Sequence, residues 1–335
     1  RYGRLPNFLA LGLLREADSD AEQVFHTLAA RNALNVRGKR HASVVVHQRD
    51  AAEQTAALIT GAMEHLVDGA DTKGGLVFTA DGSAPPAVVA DLQPPDPPAE
   101  APRRALLVVG SPGADRSTSA VLGGALVEGL AARGLACTTR LLYRVQRSAA
   151  DLDVLLDEFG RADLIVLAAP LYVDSLPTPV IRLLERAADR RRLAPPAAAQ
   201  SLVAIVNSGF PEVQHNYTAL AICRRFTAET GVRWAGGLPL GGGGMIGGRP
   251  LPSLGGRGKH IVRALDLAAD ALAAGRGVGD DAVALFARKT VPFWLYRFFG
   301  DWGFKRAART NGASGRLWDR PYEQGPGTGD PGPVA

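Results

Sequence analysis

Cysteine is almost missing from this 335-residue chain, with only Cys137 and Cys223 present, far apart and without a CxxC pair. That excludes a four-cysteine zinc or iron–sulfur site and a disulfide framework, and makes a reducing cytoplasm the expected compartment. His26, His41 and His47 show no metal-ligand spacing on a recognisable element, so no metal is expected. Aromatic residues are few, at 6 %. No apolar run reaches the ~18 residues that a membrane-crossing helix needs, and no secretory leader is visible. No basic stripe interleaved with aromatics occurs, so nucleic acid is not an expected partner. Lysine is scarce beside arginine and alanine is abundant, a composition typical of a GC-rich bacterial genome.

What is present suits a globular chain. Apolar residues make up 46 % and charged residues 21 %, enough for a core. The 39 glycines and 23 prolines are clustered, which marks loops and linkers. A net charge of +5 favours anionic ligands such as phosphates and nucleotides. The run Asp189-Arg190-Arg191-Arg192 reads as a helix C-terminus, where the helix dipole favours cations.

Hydrophobic patterning divides the chain into successive regions. Residues 1–81 hold a helix over Asp18–Ala30, a strand over Ala42–His47, a helix over Ala51–Leu66 and a strand over Gly75–Thr79. This small α/β segment has no assigned role, can be the end of a domain cut before Arg1, and is too small to stand without packing on something else. Residues 82–104 are proline-rich and predict an extended linker. From Ala105, short continuous apolar runs alternate with helical patterns. Strands are predicted at Ala105–Val109, Ala136–Leu142, Leu164–Ala168, Leu202–Val206 and Val232–Leu240. Helices are predicted at Thr118–Arg133, Ala150–Phe159, Pro179–Arg190, Val213–Thr230 and Arg257–Ala274. Apolar runs without alternation are what strands covered on both faces require, so residues 105–275 predict a doubly wound α/β fold on a parallel sheet. Residues 276–324 form a helical extension rich in aromatics, and 325–335 a disordered tail.

In such sheets ligands bind at the carboxyl ends of the strands. Three predicted loops there carry chemistry. Gly110–Ser119 (GSPGADRSTS) brings Ser111, Arg116, Ser117, Thr118 and Ser119 to a helix start, where free N–H groups attract an anion. It matches neither the Walker A loop nor the GxGxxG turn, and an ordinary N-cap would look the same. Ala169–Pro177 (APLYVDSLP) offers Pro170, Leu171, Tyr172 and Val173 as a wall, with backbone N–H groups at Tyr172 and Val173 available to a heterocycle edge, or simply a packed turn. Asn207–Glu212 (NSGFPE) offers Ser208, Gly209 and Phe210, where Gly209 permits a close approach to the backbone, or simply a turn. His215 reads as a neighbour of the ligand rather than an acid. Gly241–Gly248 (GGGGMIGG) lacks a following Lys-Ser/Thr pair and reads as a mobile loop.

Taken in order, GSP…S, APLYVDSLP and NSGFPE resemble the NAD(P)H-dependent FMN reductase family of the flavodoxin-like superfamily, over about residues 105–250. The resemblance implies a flavodoxin-like five-stranded sheet of order 2-1-3-4-5. It implies that Ser111, Arg116, Ser117, Thr118 and Ser119 hold the phosphate of FMN. Pro170, Leu171, Tyr172 and Val173 would then hold the flavin ring on one side and Ser208, Gly209 and Phe210 on the other. The family often has arginine after the proline of its first loop, where this chain has Gly113, which leaves Arg116 as the nearest replacement.

The expected function is therefore a flavin oxidoreductase that uses NAD(P)H to reduce FMN and passes electrons to a quinone, a flavin or another small acceptor. No catalytic side chain is assigned, since the cofactor performs the chemistry. A flavodoxin-type electron carrier and a non-catalytic binding protein on the same fold stay open as alternatives, although carriers of that type usually have acidic surfaces. The family resemblance also opens homodimer formation. The aromatic-basic stretch 291–306 allows peripheral membrane contact, but Pro292 and Gly300 are expected to interrupt a long amphipathic helix there.

Overall fold

The computed structural model describes residues 7–14, 18–35, 41–68, 76–78, 95–193, 199–289, 293–317 and 319. Strand β1 (Phe8–Leu14), helix α1 (Ser19–Asn35), β2 (His41–His47), α2 (Ala52–Asp68) and β3 (Leu76–Phe78) form a three-stranded parallel sheet in the order β1-β2-β3. The sequence reading has no counterpart for β1. Alternate residues of β2 serve different helices. Ala42, Val44 and Val46 pack with Leu58, Ala62 and Leu66 of α2, while Ser43 hydrogen-bonds His26 of α1 at 2.8 Å. Burial holds the His26 imidazole below its ordinary pKa. The unit does lean on a neighbour, because α1 packs against a helix of the second sheet (α7, below) and Asp18 pairs with Arg225.

The second sheet begins with β4 (Arg104–Val109), followed by α3 (Thr118–Ala131), β5 (Ala136–Leu141), a short α4 (Leu142–Val145), α5 (Ala149–Arg161), β6 (Leu164–Pro170), α6 (Thr178–Leu193), β7 (Ser201–Asn207), α7 (Tyr217–Thr230), β8 (Arg233–Leu240) and α8 (Lys259–Ala273). Two more helices follow, α9 (Asp280–Phe286) and α10 (Phe293–Thr310). All pairings are parallel and the strand order is β5-β4-β6-β7-β8, which is 2-1-3-4-5 counted from β4. The winding therefore reverses between β4 and β6.

The apolar runs are buried on both faces for the expected reason. Leu107 and Val109 of β4 point into one core with α3, α8 and α9, whereas Leu106 and Val108 point into another with α5, α6 and α7. Each fully buried leucine or valine in these layers contributes about 1.5–3 kcal/mol over exposure. Helix starts are capped locally: Ser117 accepts from the Ala120 N–H at 3.1 Å and Ser148 from the Asp151 N–H at 3.2 Å. Gly231, at φ 65°, ends α7 in the left-handed conformation that glycine adopts without strain.

The expected linker has two parts. Residues 82–94 lie outside the described residues, as does the expected tail 325–335. Residues 95–100 lie along β8 as a strap. The Asp96 N–H donates to the Trp234 carbonyl at 2.8 Å, the Trp234 N–H to the Asp96 carboxylate at 2.7 Å, and the Ala99 N–H to the Gly275 carbonyl at 2.9 Å. Arg233 reaches across to the carbonyls of Asp96, Pro97 and Gly275.

Candidate functional site

The three loops singled out in the sequence meet at the C-terminal ends of β4, β6 and β7. Asn207, the last residue of β7, joins them. Its carbonyl accepts the Leu171 N–H of the second loop at 2.8 Å, and its side-chain oxygen accepts the Ser119 hydroxyl of the first at 2.8 Å. A polar side chain at the end of an apolar strand was the available signal, but its partners lie far away in sequence.

In the first loop the Gly110 N–H donates to Ala168, tying β4 to β6, and residues Ala114–Arg116 make a single 3-10 turn. The loop's hydroxyls do not all face a ligand. Ser117 caps α3 and donates to the Ala114 carbonyl at 2.7 Å. Thr118 donates to the Gly243 carbonyl at 2.9 Å, and Ser119 is buried on Asn207. The reading of these three side chains as a grip on an anion is thus replaced by a structural one, and what they offer instead is the set of backbone N–H groups they hold in place. The first-turn N–H groups of Thr118 and Ser119 have no carbonyl behind them in the helix and no partner among the described residues. The Ser111 hydroxyl also makes no hydrogen bond among the described residues. Arg116 is exposed and makes no ion pair among them. Asp115, the one carboxylate of the loop, is drawn aside by Arg144 at 3.0 Å.

The second loop is a tight turn. Tyr172 and Ser175 exchange two backbone hydrogen bonds, 2.9 and 3.1 Å, and both central residues are left-handed, Val173 at φ 51° and Asp174 at φ 56°. A β-branched residue there is strained, at a cost of about 1–3 kcal/mol. The Tyr172 N–H is spent on this turn and cannot serve a heterocycle, whereas the Val173 N–H has no acceptor among the described residues. Pro170 is buried at the strand end and Leu171 half-buried, while Tyr172 and Val173 are exposed. Tyr143 of α4 lies close to Tyr172, and burial first, then Tyr172, push its phenol above the ordinary value.

In the third loop Ser208 is buried, its N–H on Leu240 and its hydroxyl donating to the Phe210 carbonyl. Gly209 and Phe210 are exposed, and a methyl group placed on Gly209 would meet nothing within 4 Å. The Phe210 ring lies 5.1 Å from the His215 ring, and His215 Nδ1 stands 3.5 Å from a carboxylate oxygen of the buried Asp174. His215 thereby links the second loop to the third.

The glycine-rich segment 241–248 is a packed wall rather than a mobile loop. A Cβ on Gly241 would stand 2.4 Å from the Pro211 carbonyl oxygen, and one on Gly248 2.2 Å from that of Arg116. Only glycine lets the segment lie against both the first and the third loops. A cavity of about 670 Å³ opens elsewhere, between α3 and α8 beside Leu251, Pro252 and Val262, and includes none of the loop residues. No group of three or more His, Cys, Asp or Glu arranged to hold a metal occurs among the described residues.

No protein-family profile matches the chain, and neither does any curated protein. Solved structures are similar in part. An NADH:FMN oxidoreductase in its apo form is 17 % identical over 57 % of this chain and 96 % of that one, with a TM-score of 0.41. An NAD(P)H:quinone oxidoreductase from Methanothermobacter marburgensis is 16 % identical over 51 % of this chain and 98 % of that one, at 0.37. An FMN-dependent NADH-azoreductase from Bacillus anthracis, in complex with FMN, is 13 % identical over 51 % and 99 %, also at 0.37.

Proposed function

We propose that the chain is an FMN-dependent oxidoreductase that draws reducing equivalents from NAD(P)H and passes them to a small acceptor such as a quinone or a flavin, with residues 105–275 as the flavin-binding unit. One observation carries this reading: an anion-ready helix start and an exposed apolar surface stand side by side at the point where the winding of the sheet reverses.

The donor set fits FMN. For the phosphate there are the N–H groups of Thr118 and Ser119, the Ser111 hydroxyl and the guanidinium of Arg116, while Asp115 is neutralised by Arg144. For the ring there are Pro170, Leu171, Tyr172 and Val173 on one side and Ser208, Gly209 and Phe210 on the other. Ser117 holds the helix start in shape, and Asn207 holds the three loops in register. Bound FMN supplies the capacity to accept hydride from a nicotinamide and to release electrons to the acceptor. The protein's part would be to hold the ring between the 170–173 and 208–210 loops and to keep the phosphate on the helix start. His215, held beside Asp174, orients the third loop rather than moving a proton.

An electron carrier without NAD(P)H activity is the second reading, and the net charge of +5 counts against it. Purified protein should be yellow or take up added FMN, and mixing with NADH or NADPH should bleach the flavin band. A colourless protein that refuses FMN sinks the flavoprotein reading. A yellow protein that neither nucleotide bleaches is the carrier.

A further inference from the structure

The sequence placed breaks at Pro292, which lies outside the described residues, and at Gly300, but α10 runs from Phe293 unbroken through Gly300 and Gly303 to Thr310. Among the described elements its most extensive contact is with the turn Ser314–Arg316 that follows it, and Ala308 on its other side is buried. Three of its aromatic side chains are exposed: Phe298 at 62 %, Trp302 at 53 % and Phe304 at 75 %. Lys305, Arg306 and Arg309, also exposed, come next along the axis, against one acid, Asp301. Phe298 and Trp302 are four residues apart and share a stripe that Lys305, Arg306 and Arg309 continue at helical spacing. The Arg306 guanidinium lies 5.6 Å over the Trp302 ring.

We propose that α10 docks the protein on an anionic membrane surface, with the aromatic rings entering between headgroups and the three cations pairing with lipid phosphates. Indole and phenyl rings followed by snorkelling cations suit the interface between acyl chains and headgroups. No helix among the described residues is long and apolar enough to cross a membrane, so the contact is peripheral. A second copy of this chain is the poorer occupant. The whole chain carries a net charge of +5, so a second copy offers no excess of acids to these three cations.

Co-sedimentation of the full chain with phosphatidylcholine vesicles, with and without phosphatidylglycerol, tests this independently of any flavin chemistry. The chain should sediment only with the phosphatidylglycerol vesicles, and less so as salt rises. Replacing Lys305, Arg306 and Arg309 together by Gln should weaken partitioning about a hundredfold, while Arg306→Lys with Arg309→Lys should preserve it. Phe298→Ser with Trp302→Ser, both rings being more than half exposed, should weaken it at least ~10-fold while the protein still folds cooperatively. No binding to anionic vesicles, or binding that neither the Gln nor the Ser variant reduces, overturns the proposal. So does a dimer in light scattering that the Ser variant abolishes, since the stripe would then be a protein interface.

Discussion

Gly209→Ala separates the folding of the third loop from its use. An ideal Cβ at Gly209 meets no atom within 4 Å, and Gly209 is not among the left-handed glycines. Alanine should therefore fit the apo protein, and the loss of glycine's freedom in the unfolded chain should raise stability by ~0.4–1 kcal/mol. If the flavin ring lies against the Gly209 backbone, the same methyl group occupies the space of the ring. The ring must then retreat by more than the fraction of an ångström that already forfeits much of a dispersion contact. A loss of at least tenfold in FMN affinity, about 1.4 kcal/mol, is the expected result. Urea unfolding of the apo protein and fluorescence titration with FMN give the two readings on one sample. Unchanged FMN affinity in a stably folded Gly209→Ala protein would refute the placement of the ring. A large loss of stability would refute the claim that the space is open.

Gly248→Ala should behave in the opposite way. At φ 75° and with its Cβ 2.2 Å from the Arg116 carbonyl oxygen, it should lower apo stability by ~2 kcal/mol or more, read as a fall in the urea midpoint. Arg116→Ala should weaken FMN about tenfold while leaving riboflavin, which lacks the phosphate, unchanged; equal effects on the two ligands would place Arg116 away from the phosphate. Glu158, whose carboxyl is held below the ordinary range chiefly by its hydrogen bond from Arg140, contributes stability above the unfolded pKa of ~4.3 and loses it as pH falls through the lowered value. Glu158→Gln should thus cost up to ~1 kcal/mol at neutral pH, and the gap should close on acidification. Burial pushes the Cys223 thiol up to about 12, so iodoacetamide at pH 8 should leave it untouched until the protein unfolds.

The second sheet was legible because parallel strands buried on both faces leave unbroken apolar runs such as LIVLA and LVAIV, which turn chemistry then separates. β1 was not. FLALGLL is equally apolar, but in an edge strand with Leu11 and Leu13 exposed it lacks the apolar–polar alternation of a half-buried strand. The positions of the three site loops followed from the strand order. Which of their hydroxyls face outward did not, because Ser119 and Thr118 find partners 88 and 125 residues away. The glycine-rich segment misled for a related reason: small residues look like freedom in a sequence, whereas the side chains missing at Gly241 and Gly248 leave space that other backbones occupy. At α10, glycine's low helix propensity suggested a break, yet a cost of about 1 kcal/mol per glycine does not stop an 18-residue helix.

The strap over β8 has a consequence for how the molecule avoids its own kind. β8 is the last strand of its sheet, apolar and buried along its length, and an uncovered edge of that sort is a template for adding a strand from another chain. Asp96 occupies both hydrogen-bonding groups of Trp234, and the Val278 N–H takes the carbonyl of Ala235. Pro95 sits where any side chain on Gly277 would be, a Cβ there lying 2.2 Å away. The opposite edge, β5, carries Thr138, Thr139 and Arg140 instead. One border of the sheet is covered at Trp234 and Ala235 by a proline-bearing segment and the other is polar, so strand addition is disfavoured by composition and chain routing rather than by closure of the sheet.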